Sequence, residues 1–228
     1  MTGGSGIYFL SLFLFCQFMS NDINQYYLQQ MGIDLWTERS IHSCESKLSQ
    51  LAMTVSNCVS CPLHQSRTQT VFSRGNPEAA LMIIGEAPGL YEDEQGPPFA
   101  GKAGDLLNQM LLSIGLAEQD VYITNVIKCK TPENRPPAAE EMAQCGNYLS
   151  RQIELVAPKL LLALGDFAGQ FLARRPMPLN QLRTNLHYYN ETPYYVSYHP
   201  EHLLGNPVDK KQAYADLLQV KKMLLNNL

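Results

Sequence analysis

Residues 80–89 read ALMIIGEAPG, five apolar side chains in a row followed at once by a turn with two glycines and a proline. An apolar run without polar alternation suits a strand buried on both faces, the habit of a parallel sheet covered by helices. Three more such runs occur downstream, at 121–126 (VYITNV), 160–164 (LLLAL) and 194–198 (YYVSY). Between them Leu106, Leu107, Met110, Leu111 and Ile114 recur at helical spacing, as do Met142, Tyr148, Leu149 and Ile153. Further helices are expected over 23–56, 167–173 and 209–225. Strands alternating with helices predict an α/β fold, a three-layer α/β/α sandwich around a central four-stranded parallel sheet.

An open parallel sheet binds ligands beyond the carboxyl ends of its strands. Each unusual cluster of this chain directly follows a strand: GEAPG at 85–89, Asn125 through Arg135, Gly165-Asp166, and His199-Pro200. The glycines Gly85 and Gly89 let backbone approach a ligand, and the turn presents main-chain N–H groups, but no Gly-Lys-Ser/Thr follows to make a nucleotide phosphate loop. Phe99 lies in PPFAGKAG, where prolines and glycines hold an aromatic ring on a loop. Asn125 offers a donor and an acceptor to a planar heterocycle, or it satisfies loop backbone. Pro200 pushes His199 into extended geometry at a strand end. The EHLLGNP that follows reads as an inserting loop, because Leu203 and Leu204 are costly at an exposed tip unless they wedge against a partner.

The 228 residues are 45% hydrophobic and 17% charged, an ordinary globular composition that excludes disordered, collagen-like and disulfide-dense classes. The net charge is −4, which argues against a partner held by a polycationic surface. Glu86, Glu92, Asp93 and Glu94 carry that whole excess within one segment free of Lys and Arg. Basic residues gather near strand ends instead: Lys128, Lys130 and Arg135, then Arg174, Arg175 and Arg183. Several around one crevice suit a phosphate backbone.

Six cysteines occur, and Cys58, Cys61, Cys129 and Cys145 make the pattern C-x2-C-x67-C-x15-C. Four thiolates can close an iron–sulfur or a zinc site, whereas Cys16 and Cys44 look spare. Residues 7–15 (IYFLSLFLF) are apolar but too short to span a bilayer as a helix, and no basic residue precedes them as in an export signal. The expected organisation is therefore an extension over 1–18 outside the fold, with the natural start at Met19. A helical segment over 19–56 and one functional domain over 57–228 follow.

Taken together, C-x2-C, GEAPG, the acidic stretch, G-x-P-F-x-G-x-A-G at 96–104, YITNVIKCK at 122–130, Cys145 and YHPEHLLGNP at 198–207 resemble the type 4 uracil-DNA glycosylases. The resemblance runs in unbroken order from about Met31 to the C-terminus. It implies a structural [4Fe–4S] cluster on Cys58, Cys61, Cys129 and Cys145, and a uracil pocket formed by Glu86, Phe99, Asn125 and His199. The expected activity is release of uracil from DNA for base excision repair.

Under that resemblance Phe99 stacks on the flipped base, Asn125 selects uracil over cytosine, and His199 donates to uracil O2 as a neutral imidazole. Gly85, Ala87 and their turn support the base with backbone N–H groups. Glu86 and Glu92 are the carboxylates able to position water, with Glu86 ranked first. The type 1 enzymes have Asp and Tyr where this turn has Ala87 and Gly89, a departure normal for type 4 members. Leu203 and Leu204 would fill the space left by the flipped nucleotide, though Gly205 stands where many members carry Arg. Lys128, Lys130 and Arg135 would meet phosphates. The expected protein is a cytoplasmic monomer acting on uracil-containing DNA, with no membrane association. The alternatives are a non-catalytic nucleic-acid-binding subunit of a phage-type DNA polymerase, and an iron–sulfur electron carrier that would leave the pocket motifs idle.

Overall fold

The computed structural model describes residues 41–226, so the expected extension over 1–18 and residues 19–40 of the helical segment lie outside the described residues. Among the described residues, 44–226 form one compact unit. Its sheet has six strands: β1 (Arg74–Gly75), β2 (Leu81–Gly85), β3 (Val121–Asn125), β4 (Leu160–Leu164), β5 (His187–Tyr189) and β6 (Thr192–Ser197). Eight α-helices are found among the described residues: α1 (Ile41–Ser56), α2 (Leu90–Gln95), α3 (Lys102–Ser113), α4 (Ala139–Val156), α5 (Asp166–Ala173), α6 (Leu179–Arg183), α7 (Pro200–Gly205) and α8 (Lys210–Asn226).

The strand order is β1-β3-β2-β4-β6-β5. The four apolar runs form the parallel centre β3-β2-β4-β6, as the sequence predicts. The sheet is larger than expected because an antiparallel strand closes each edge. β1 has only two residues, and β5 returns into β6 through the two-residue turn Asn190-Glu191, with Asn190 at φ 52°. Left-handed backbone at the first turn position matches the twist of a tight hairpin. Such short, half-exposed strands carry no apolar run to announce them.

Alternation along the strands divides the core into two layers. Met82, Ile84, Tyr122, Leu161, Ala163 and Val196 pack on one side with α1, α4, α5 and α6. Leu81, Ile83, Val121, Ile123, Leu160 and Leu162 pack on the other with α3, α7 and α8. Every residue of β2, β3 and β4 is buried, which explains the absence of polar alternation. After β2 the chain adds β3 on one side, then crosses back to place β4 on the other. That reversal opens a crevice beyond Gly85 and Gly165, the topological switch point of the sheet.

Candidate active site

The crevice holds a pocket of about 340 Å³, with Ala87, Gly89, Phe99, Asn125, His199 and Leu204 among its walls. Gly85 and Asn125 are register partners at the ends of β2 and β3. A Cβ on Gly85 would lie 2.3 Å from Asn125 Oδ1 and 2.7 Å from Phe99 Cζ, so only glycine leaves this floor open. The turn is tied to β3 by the Val126 and Ile127 N–H groups, which donate to the Gly85 and Glu86 carbonyls at 2.9 and 3.0 Å. Asn125 is 3% exposed, and its side-chain amide has no hydrogen bond with protein among the described residues. It therefore presents donor and acceptor to the pocket.

Phe99 has φ 55°, a left-handed backbone unusual for an aromatic residue. The strain is held by α3: a Cβ on Gly104 would come within 1.7 Å of the Phe99 carbonyl oxygen, so glycine allows the helix to close against that loop. The Phe99 ring then sits 5.5 Å from the His199 ring, inclined by 31°.

His199 caps the N-terminus of α7, its Nδ1 accepting the Glu201 N–H at 3.3 Å. A ring nitrogen that accepts is unprotonated, so the neutral imidazole carries its proton on Nε2. Burial, with a smaller contribution from His202, lowers the His199 pKa to about 4. The site thus holds a neutral imidazole donor at ordinary pH.

The carboxylates of the acidic stretch have separate roles. Glu86 is partly buried, and burial followed by the Asp166 and Glu201 carboxylates raises its pKa. Glu92 Oε2 accepts the Gly89 N–H at 3.1 Å at the start of α2, which removes that amide from the donors expected of the turn. Asp93 is buried and accepts the Thr68 N–H with both oxygens at 3.0 Å. Local acidity here reflects helix capping and loop anchoring as well as the pocket wall. Tyr91, Lys102, Asn134 and Glu201 also line the pocket and escaped the sequence reading. The position of Lys102 within the PFAGKAG loop was the available signal.

Two expected DNA contacts are corrected. Lys128 is 1% exposed, its Nζ donating to Asn125 O at 2.6 Å, Thr124 Oγ1 at 2.7 Å and Gln152 Oε1 at 2.5 Å. Its chain folds back under β3 and cannot reach a phosphate. Leu203 is also 1% exposed and packs in the α3/α8 layer, because EHLLG forms the helix α7 rather than an open loop. Leu204, on the other face of that turn, is 44% exposed at the pocket. Arg135 is paired with Glu141 at 2.6 and 2.9 Å, and Arg183 with Asp216. Lys130 is partly exposed after Cys129.

Cys58, Cys61, Cys129 and Cys145 are free thiols that share one small cavity with Val55, Lys128 and Tyr148. The loop after α1 supplies the first pair, the segment after β3 supplies Cys129, and α4 supplies Cys145. Burial pushes the Cys145 pKa up to about 11 and raises that of Cys129. Three N–H donors aim at the sulfurs: Arg67 at Cys129 (3.1 Å), the Lys128 amide at Cys145 (3.2 Å) and the Ser60 amide at Cys58 (3.5 Å). Buried thiols costly to ionise alone, yet surrounded by donors suited to thiolates, fit a bound metal–sulfur group. Arg67 also ties the Ser56 and Cys58 carbonyls together, a role its sequence context did not announce. Among the described residues no three His, Cys, Asp or Glu side chains are gathered as for a single metal ion.

A family model for the uracil DNA glycosylase superfamily matches residues 72–219. The type-4 uracil-DNA glycosylase of Archaeoglobus fulgidus is 48% identical over 125 residues, which cover 55% of this chain and 63% of that protein. That of Thermotoga maritima is 37% identical over 168 residues, covering 73% of this chain and 88% of the relative. A DNA polymerase of Bacillus phage SP01 is 30% identical over 135 residues, which are 59% of this chain but 14% of the polymerase. With this fold, this pocket and these relatives, the chain belongs to the uracil DNA glycosylase superfamily and, within it, to the type-4 uracil-DNA glycosylases.

Proposed function

We propose that the protein is a uracil-DNA glycosylase that takes deoxyuridine out of the DNA stack, hydrolyses its N-glycosidic bond and leaves an abasic site for base excision repair. The observation that carries the reading is the convergence of Phe99, Asn125 and the neutral imidazole of His199 on one pocket at the sheet's switch point. A base must leave the duplex before its glycosidic bond can be reached, at a cost of a few kcal/mol. Phe99 stacks on the flipped ring. The Asn125 amide donates to uracil O4 and accepts from N3–H; cytosine reverses this pattern and leaves buried polar groups unpaired.

Cleavage leaves an oxocarbenium-like sugar and a uracil anion. His199 Nε2–H donates to O2, where negative charge develops, without first giving up a proton. Glu86, at the end of β2 beside Asp166 and Glu201, is the leading carboxylate for holding the attacking water. Glu92 supports the turn through Gly89. Leu204 and Lys102 at the pocket mouth, with Lys130 nearby in sequence, are the groups for the vacated stack and the flanking phosphates.

The four cysteines would hold a [4Fe–4S] cluster, whose contribution when bound would be structural: tying the loop after α1, the segment after β3 and α4 together. The shared cavity and the N–H donors to sulfur support a thiolate-bound metal site, and the resemblance to the type-4 enzymes selects the cluster over a lone zinc ion. We place the enzyme in the cytoplasm as a monomer, and no described helix is long and apolar enough to cross a membrane.

Incubation with uracil-containing single- and double-stranded DNA tests the reading, with free uracil and abasic sites as products. Cluster-loaded protein that releases no uracil from either substrate overturns it. The match to part of a phage polymerase favours a second reading, a binding module without catalysis, for which DNA binding without uracil release would be the result.

A further inference from the structure

We infer that Lys128 is a positioning residue that sets the Asn125 amide for base recognition and joins the four-thiol cavity to the base pocket. A lysine with three N–H donors has all three engaged here: Asn125 O, Thr124 Oγ1 and Gln152 Oε1. None of these acceptors is a carboxylate. Burying an ammonium against neutral groups is costly, so an apolar residue of similar length would fill the same space more cheaply. The placement of the amine against these three acceptors is therefore the informative feature.

The acceptors are themselves held. Thr124 Oγ1 donates to Phe72 O at 2.7 Å, and Gln152 Nε2 donates to Tyr122 OH at 2.9 Å and to Phe72 O at 3.3 Å. Lys128 thus grips two consecutive residues, Thr124 and Asn125, where β3 ends and regular ladder bonding stops. Because the Asn125 side chain has no hydrogen bond with protein among the described residues, its direction depends on its backbone. The Lys128 bond to the Asn125 carbonyl at 2.6 Å adds to that constraint, on the side of β3 that the Val126 bond to the Gly85 carbonyl does not hold.

The same residue faces the thiols. Its amide donates to Cys145 Sγ at 3.2 Å, and Lys128 lines the four-thiol cavity together with Cys129 and Cys145. One residue therefore touches the cysteine site through its backbone and, through its side chain, the main chain of Asn125, whose amide lines the base pocket. A group held by these cysteines would thus be linked to base recognition through Lys128, without any contact with the base.

The inference rests on reading the pocket as a uracil site, so free uracil is the probe. Equilibrium dialysis of labelled uracil against Lys128→Met, with the protein fully loaded, should show a dissociation constant raised tenfold or more. Affinity for abasic-site DNA should stay within twofold, and iron and sulfide per chain should match the unaltered protein. Unchanged uracil affinity overturns the inference. So does a loss of abasic-DNA affinity or iron in proportion to the loss of uracil binding, since that marks a purely structural role. If Lys128→Met does not fold, Gln152→Leu removes one anchor of the ammonium and should weaken uracil binding about threefold, with no change overturning the idea. Unaltered protein that binds no uracil sinks the pocket reading and this inference together, whereas Lys128→Met that binds normally sinks the inference alone.

Discussion

The Glu201 amide donates to Nδ1 of His199 at 3.3 Å, which makes the first turn of α7 the element that sets the tautomer of the pocket histidine. Burial of the same imidazole sets a pH limit. The folded His199 pKa lies near 4, below an unfolded value of about 6.5. Between these values the unfolded state binds the proton and the folded state does not. Stability is therefore full above about pH 6.5 and falls as pH drops toward 4, by about 3 kcal/mol if this group acts alone. Urea unfolding midpoints from pH 7 to pH 4 should decline in unaltered protein and decline less in His199→Ala. The His199 imidazole should stay neutral, with no titration in its NMR shift between pH 6 and 8.

Replacing His199 by alanine removes the proposed donor to uracil O2. Single-turnover uracil release should slow by about 10²–10³, the cost of losing one oxyanion donor, with abasic-DNA affinity little changed. A rate near that of the unaltered protein removes His199 from the mechanism.

Gly85→Ala puts a methyl group 2.3 Å from Asn125 Oδ1 and 2.7 Å from Phe99 Cζ. Both side chains must move, at a strain of about 1–3 kcal/mol. Uracil release should fall at least a hundredfold while the melting temperature drops by only a few degrees, measured on the same preparation.

Leu203 and Leu204 are adjacent in sequence but opposite in setting. Leu203→Ala should destabilise by about 2–5 kcal/mol, as for a buried leucine. Leu204→Ala should leave stability within about 0.5 kcal/mol, typical of the surface. It should instead slow uracil release from duplex more than from single-stranded DNA. Equal effects on both substrates would detach Leu204 from base flipping.

Cys145→Ala removes a thiol seated on α4. Iron and acid-labile sulfide should be lost together, and the melting temperature should fall by roughly 10 °C, as for ~4 kcal/mol in a chain of this size. Stoichiometric zinc with no iron in the unaltered protein would replace the cluster reading.

Much of the molecule was legible because its chemistry sits beside its strongest local signals. The four apolar runs are the parallel strands, and Phe99, Asn125 and His199 follow strands or a glycine-rich turn, so fold class and pocket walls could be read together. β1 and β5 were not legible, since two- and three-residue edge strands bury too little to leave a pattern. The acidic stretch was legible as charge but not as structure. Asp93 anchors the Thr68 amide and Glu92 caps the Gly89 amide, bonds that join a carboxylate to backbone the sequence does not place beside it.

By itself the sequence determined that strands buried on both faces alternate with helices, that polar chemistry gathers at their carboxyl ends, and that four thiols are available at the right intervals. Only the tertiary structure decided where individual side chains go. Lys128 turns back under β3 because three acceptors await it there, and Leu203 and Leu204 part company because helix α7 rotates successive residues by about 100°. Charge and hydrophobicity are properties of a residue, whereas burial and partners belong to the surfaces that folding brings against it.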